Sequence, residues 1–196
     1  MKPIVKEGVT VYQPESYRDC LELIAGDFSR YTGVFVPGAL KLWAQHFRDP
    51  GMGFLFYWRL CQHKGRLYPY LRLRMEKYKR KYALMISRET LTGKGLYLGH
   101  GVGIIVNRSA VIGSNVNLSQ FLTIGSNSES AAVIEDGTYI GPGVCTVEHV
   151  RIGSRAMVGA GAVVTRDVPA GASAAGVPAR VLSADAGYSP SRPVAL

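Results

Sequence analysis

A chain of 196 residues, 47% apolar and 19% charged, is globular rather than disordered, and it is large enough for one domain, or one large and one small, around a buried core. No apolar run approaches the roughly 18 residues of a membrane span, and the opening MKPIVKEGVTVYQPES lacks the apolar core of a secretory signal, so a cytoplasmic protein is expected. Lys and Arg number 23 against 14 Asp and Glu, a net charge of +9.

In chain order, the first elements read as helices. Tyr17, Leu21, Ile24 and Phe28 recur at helical spacing, as do Leu40, Trp43, Ala44 and Phe47 after Pro37, a residue suited to a helix start. Gly51 and Gly53 break the pattern, and FLFYWRLCQHK and GRLYPYLRLRMEKYKRKY read as two further helices. Residues 1–84 are therefore expected to form an α-helical region whose apolar faces cap the C-terminal part of the chain. Within it, residues 59–81 carry nine Lys or Arg against Glu76 alone. Such a segment is either a solvated helix face or an attractor of phosphates, acidic glycans or an anionic membrane surface. No nucleic-acid recognition motif accompanies the charge, so nucleic acid is not an expected partner.

From Ile86 the sequence repeats every six residues. Ile86, Thr92, Leu98 and Ile104 are followed, after two extra residues, by Ile112, Leu118 and Ile124. Beyond the excursion SNSESAAV come Ile134, Ile140, Thr146, Ile152, Val158 and Val164, and glycine directly follows seven of the thirteen. Period six fits neither a helix nor a two-faced strand. It fits a short strand and a corner repeated around a coil, with the aliphatic residue inside and glycine where the corner needs a positive φ or a close approach. Stacked coils pair their strands in parallel and share one aliphatic column, a parallel β-helix over residues 85–183. Residues 184–196, ADAGYSPSRPVAL, are expected to form a flexible tail.

Three cysteines at wide spacing, Cys20, Cys61 and Cys145, support neither a disulfide framework nor a metal knuckle and read as buried thiols. The chemistry concentrates in GKGLYLGHGVGIIVNRSAVIG, residues 93–113, where six glycines surround His100. An alcohol is not ionised at neutral pH, so it needs a positioned base if it is to attack a thioester. Imidazole, with an ordinary pKa of about 6.5, suits that task.

The stretches GKGLYLGHGVGIIVNRSAVIGSNVNLSQFLTIG and TYIGPGVCTVEHVRIGSRAMVGAGAVVTRDVPAGASAAGVPARVLS, with DFSRY and FYWRLC in the helical region, resemble the hexapeptide-repeat acyltransferases of the serine O-acetyltransferase branch and its sugar-acetylating relatives. The resemblance implies a mainly β fold, a left-handed parallel β-helix behind a small α-helical region, assembled as a homotrimer. It implies His100 as catalytic base and acetyl-CoA as co-substrate, held near Gly141, Ala160 and Ala162 with its phosphates meeting Arg166 or Arg180. Asp27, Asn117 and Gln120 are the expected acceptor contacts, and no metal is required.

Three departures bear on the acceptor. The aspartate that orients the ring in serine acetyltransferases is replaced by Met85, the one directly before the histidine by Gly99, and the short SNSESAAV loop lacks their arginine and histidine. These departures favour a sugar or polysaccharide hydroxyl over free serine, with the ring oriented by a backbone carbonyl or by Glu148 or Asp27. Serine O-acetylation is the enzymatic alternative and an inactive scaffold the other. A zinc site is disfavoured, because only His100 and His149 lie on the repeat and such a site needs three histidines.

Overall fold

A computed structural model describes residues 1–128 and 130–195. The first element is not a helix. β1 (Lys2–Lys6) and β2 (Val9–Gln13) form an antiparallel hairpin whose two-residue turn, Glu7 and Gly8, takes φ of 52° and 77°. Helices come next at α1 (Tyr17–Thr32), α2 (Ala39–Gln45), α3 (Pro50–Leu60) and α4 (Tyr68–Tyr82). Ser16 caps α1 by accepting from the Asp19 amide, and Asp49 caps α3, with Pro50 in its first turn.

Gly51 and Gly53, expected to interrupt the helical pattern, lie inside α3. Both are there for close packing. A Cβ at Gly53 would overlap the Tyr78 ring of α4, and one at Gly51 would sit 2.7 Å from the Tyr31 hydroxyl. On α2 the expected apolar face is reversed: Leu42 is buried, while Leu40, Trp43 and Phe47 face solvent.

Thirteen two-residue strands then wind into a three-sided parallel β-helix. One face stacks Leu91–Thr92, Val111–Ile112, Val133–Ile134 and Arg151–Ile152. The second stacks Tyr97–Leu98, Asn117–Leu118, Tyr139–Ile140 and Met157–Val158, and ends with β16 (Ser173–Ala175) and the antiparallel β17 (Arg180–Ser183). The third stacks Met85–Ile86, Ile105–Val106, Thr123–Ile124, Cys145–Thr146 and Val163–Val164. The second residue of each pair points inward, so Ile86, Leu98, Ile112, Leu118, Ile140, Ile152 and Val158 are almost completely buried.

This register corrects the expected one at a single step. Val106, not Ile104, continues the inward column, because Ile105–Val106 pairs with Met85–Ile86 and with Thr123–Ile124. The two extra residues therefore fall between Leu98 and Val106, in the corner that carries His100.

Two of the three faces are covered. The hairpin lays Val9 and Val11 over Val111 and Val133, with Ile4 and Leu91 at the edge. α1 covers the second face, where Tyr31 packs on Tyr97 with ring centroids 4.4 Å apart. The tail, expected to be loose, runs along the same side. The Tyr188 amide donates to the Arg155 carbonyl at 2.7 Å, and Asn115 exchanges two hydrogen bonds with the Val194 backbone, at 2.7 and 2.9 Å. The third face presents Met85, Ile105, Thr123, Cys145 and Val163 outward, and among the described residues no element lies over it.

α3 closes the open end of the coil. Trp58 donates to the Ser87 carbonyl at 2.9 Å, Arg59 donates to the Gly93 carbonyl at 2.8 Å, and Gly51 packs on the Leu98 carbonyl. One helix thus touches all three corners of the first coil.

Candidate active site

The His100 corner is built from unusual backbone. His100, Gly101 and Gly103 have φ of 60°, 51° and 67°. For a residue with a Cβ this left-handed conformation costs on the order of 1–2 kcal/mol, and it persists only where the surroundings impose it. They do so here from both sides. Below, the Gly99 amide donates to the Leu118 carbonyl at 2.7 Å and the Phe121 amide to the Val102 carbonyl at 3.2 Å. Above, a Cβ at Gly101 would overlap the backbone nitrogen of Gly51, so only glycine lets the start of α3 rest on the corner. The Tyr31 hydroxyl accepts from the Leu98 amide and donates to the Leu98 carbonyl, and the Gly103 amide donates to the Tyr82 carbonyl at the end of α4. Three helices clamp a four-residue corner, and the His100 side chain projects from it into solvent.

The same contact brings in a carboxylate that sequence reasoning missed. Asp49 caps α3 through Oδ1, which accepts from the Gly51 amide at 2.7 Å and the Met52 amide at 3.2 Å. Its Oδ2 has no hydrogen-bond partner among the described residues. Burial pushes the Tyr31 phenol well above its ordinary value, and the nearby Asp49 charge adds to that rise. The signal in the sequence was Asp-Pro ahead of an apolar helix, an N-cap pattern.

Asp27, expected to touch an acceptor or to orient the ring, does neither. It is fully buried between α1 and the first coil, with Arg59 Nε 2.8 Å and Nη2 3.1 Å from its two oxygens and the Leu96 amide donating at 2.8 Å. Arg59 also donates to Thr92 Oγ1 at 2.7 Å. The pair bolts α1 and α3 to the coil, and it removes Arg59 from the basic surface counted in the sequence.

Glu148 is engaged elsewhere too. It accepts from Ser126 Oγ at 2.8 Å, the Asn127 amide at 3.1 Å and the Ser128 amide at 3.2 Å, on a different corner. Those donors, led by the Asn127 amide, pull its carboxyl down to about 2. Among the described residues no side chain hydrogen-bonds the His100 ring.

Asn117 is occupied as well: Arg30 donates to its carbonyl oxygen and its amide donates to the Tyr188 hydroxyl at 2.7 Å. Gln120 lies one coil below His100 on the same corner, half-buried, its backbone carbonyl accepting from the Gly143 amide.

Of the expected CoA contacts, Ala162 points into the coil and is fully buried, so its side chain is core. Gly141 is buried where a Cβ would meet the Val158 carbonyl at 2.8 Å and the Ala160 nitrogen at 2.9 Å, a requirement of coil stacking. Ala160, Arg166 and Arg180 are exposed. Below Phe121 the corner continues through Gly143 and Gly161, each with φ of 68°. A Cβ at Gly161 would meet nothing within 4 Å, and one at Gly143 only Gly161. Gly143 and Gly161 thus leave the lower coils of this corner without side chains at those positions, while the exposed Phe121 ring lies between them and the His100 corner.

Cys20 and Cys61 are buried and their thiols are pushed up to about 12, chiefly by burial, while Cys145 faces outward on the open sheet. Among the described residues no cluster of three or more His, Cys, Asp or Glu is placed to hold a metal ion. A cavity of about 660 Å³ opens at another corner, lined by Lys6, Glu89, Arg108, Ser130 and His149 among others, and does not include His100.

Comparison with known proteins agrees with this geometry. Residues 131–166 match the family "Bacterial transferase hexapeptide (six repeats)". The serine acetyltransferase of Escherichia coli (strain K12) is 38% identical over 94 residues, 46% of this chain and 34% of that protein. Serine acetyltransferase 4 of Arabidopsis thaliana is 36% identical over 94 residues, 46% of this chain and 26% of that protein. The chain thus spans about a third of the length of these curated relatives or less. Among solved structures, the soybean serine acetyltransferase apoenzyme superposes with a TM-score of 0.66 at 27% identity, covering 82% of this chain and 67% of that one. Neisseria gonorrhoeae serine acetyltransferase in complex with serine gives a TM-score of 0.67 at 26% identity, covering 83% and 68%. The coiled architecture, the hexapeptide match over residues 131–166 and these likenesses make the chain similar to the hexapeptide-repeat acyltransferases, and within them to serine acetyltransferases.

Proposed function

We propose that the protein is an acetyl-CoA-dependent O-acetyltransferase in which His100 is the general base. The observation that carries this reading is an exposed imidazole, held in left-handed backbone by three helices, on a corner whose lower coils carry glycine at 143 and 161. His100 takes the proton of the acceptor hydroxyl as its oxygen bonds to the thioester carbonyl carbon. When the carbon–sulfur bond breaks, the imidazolium returns that proton to the departing CoA sulfur. No acyl-enzyme forms. Arg166 and Arg180 suit the phosphates, since a guanidinium fork matches phosphate oxygens.

For the acceptor, L-serine is the reading the comparisons favour, because each relative and structure named above is a serine acetyltransferase. The expected sugar or polysaccharide acceptor has no support among them. Asp49 also removes one objection to serine, since Oδ2 offers a charge partner for its ammonium group. A neutral hydroxyl acceptor is the second reading, supported by Met85 and Gly99 standing where serine acetyltransferases carry acids.

On a single chain the corner is open, so the site needs a second wall. A homotrimer packed through the uncovered sheet of Met85, Ile105, Thr123, Cys145 and Val163 supplies one in this reading. CoA release measured with serine and with a panel of sugars, for wild type and His100→Ala, tests the function and separates the two acceptors.

A further inference from the structure

We propose that α2 and α4 form a docking surface for an anionic lipid bilayer. Among the described residues, eight of the sixteen exposed large apolar side chains fall within residues 34–73 of the helical region. On α2 and its flank, Leu40 is 77%, Trp43 48% and Phe47 61% exposed, three residues on one ridge. On α4, Leu71 and Met75 face the core, and the opposite ridge presents Tyr70, Leu73, Lys77 and Arg80, with Leu73 70% exposed. The two helices meet at α3. His46, at the end of α2, stacks on Phe56 and meets the Tyr57 hydroxyl, and the Arg74 guanidinium of α4 lies 5.3 Å from the centre of the same Tyr57 ring.

The charge on this surface is of one sign. Residues 33–48 contain Lys41 and Arg48 and no acid, and residues 64–82 contain eight Lys or Arg against Glu76, which is itself paired with Lys79 at 3.2 Å. A small cleft of about 170 Å³ on α4 is lined by Arg74, Lys77, Lys81, Tyr78 and Tyr82, with no acid. Exposed Trp, Phe and Leu beside a field of Lys and Arg are what an interfacial surface needs: apolar groups enter the acyl boundary while cations meet anionic headgroups. No helix among the described residues is long and apolar enough to cross a membrane, so contact is from one side. A second copy of the chain is the poorer occupant, because two such faces would bring cations against cations.

The test is vesicle flotation with the full chain, and it does not depend on the acceptor's identity. Binding is expected to mixed phosphatidylglycerol and phosphatidylcholine vesicles at low salt, to weaken at high salt, and to be absent with phosphatidylcholine alone. Trp58 is fully buried, so a shift of tryptophan emission to shorter wavelength on binding reports Trp43. The exposed-site doubles Trp43→Ser with Phe47→Ser, and Lys77→Glu with Arg80→Glu, should each lower partitioning at least tenfold while circular dichroism stays that of wild type. Absence of flotation, or partitioning unchanged in either folded double variant, overturns the proposal. So does an emission shift that grows with protein concentration without lipid, which would assign the face to self-association.

Discussion

Asp49 does two jobs that one substitution separates. Asparagine also caps helices well, so Asp49→Asn should leave stability nearly unchanged while removing the charge at the start of α3, which rests on the His100 corner through Gly51 and Gly101. With serine as acceptor, KM should rise on the order of tenfold or more with a smaller effect on kcat; with a neutral acceptor neither should move. Arg59→Met tests the buried clamp. Removing one partner of a buried ion pair costs about 3–5 kcal/mol, so urea unfolding should show a loss of that size. His100 stood out in the sequence as a candidate because six glycines crowd around it in residues 93–113. Asp49 had a local signal, Asp-Pro ahead of an apolar helix, whereas Asp27 had none. Asp27 faces Arg59 only because α1 and α3 cross the first coil, a tertiary fact with no local signature.

At the scale of elements, the six-residue period was readable because each inward side chain meets its copies above and below. It misplaced the insertion because Ile104 and Val106 are both aliphatic and both buried, and only pairing with Met85–Ile86 chooses between them. The hairpin was missed though its signal was present: alternating VTVYQ after a two-residue Glu-Gly turn. The apolar spacing on α2 was read as a core face, which spacing alone cannot distinguish from an exposed one. The loop at Ser126–Ser128 is braced by Glu148, whose carboxyl is lowered from its ordinary 4.5 to about 2. A lowered carboxyl contributes its bracing above pH 4.5 and loses it as pH falls toward 2. Amide exchange at Asn127 and Ser128 should therefore accelerate, relative to the coil amides, across that window; Glu148→Gln should abolish the extra acceleration.

For the whole molecule, the central question is what completes the corner. If trimers form through the uncovered sheet, sedimentation should give three times the 21.3 kDa chain mass, and Ile105→Glu should yield folded monomers with little transferase activity. A charge at the centre of an apolar interface is left unpaired and desolvated there, which opposes assembly. The most direct test of the account as a whole is the rate of acetyl-CoA consumption by wild type and His100→Ala with serine or another hydroxyl acceptor. His100 is exposed and its corner is held by glycines and helices, so the variant should fold and assemble normally. The account predicts that it loses about 10²–10⁴ of the turnover; a folded variant that turns over as fast as wild type would contradict it.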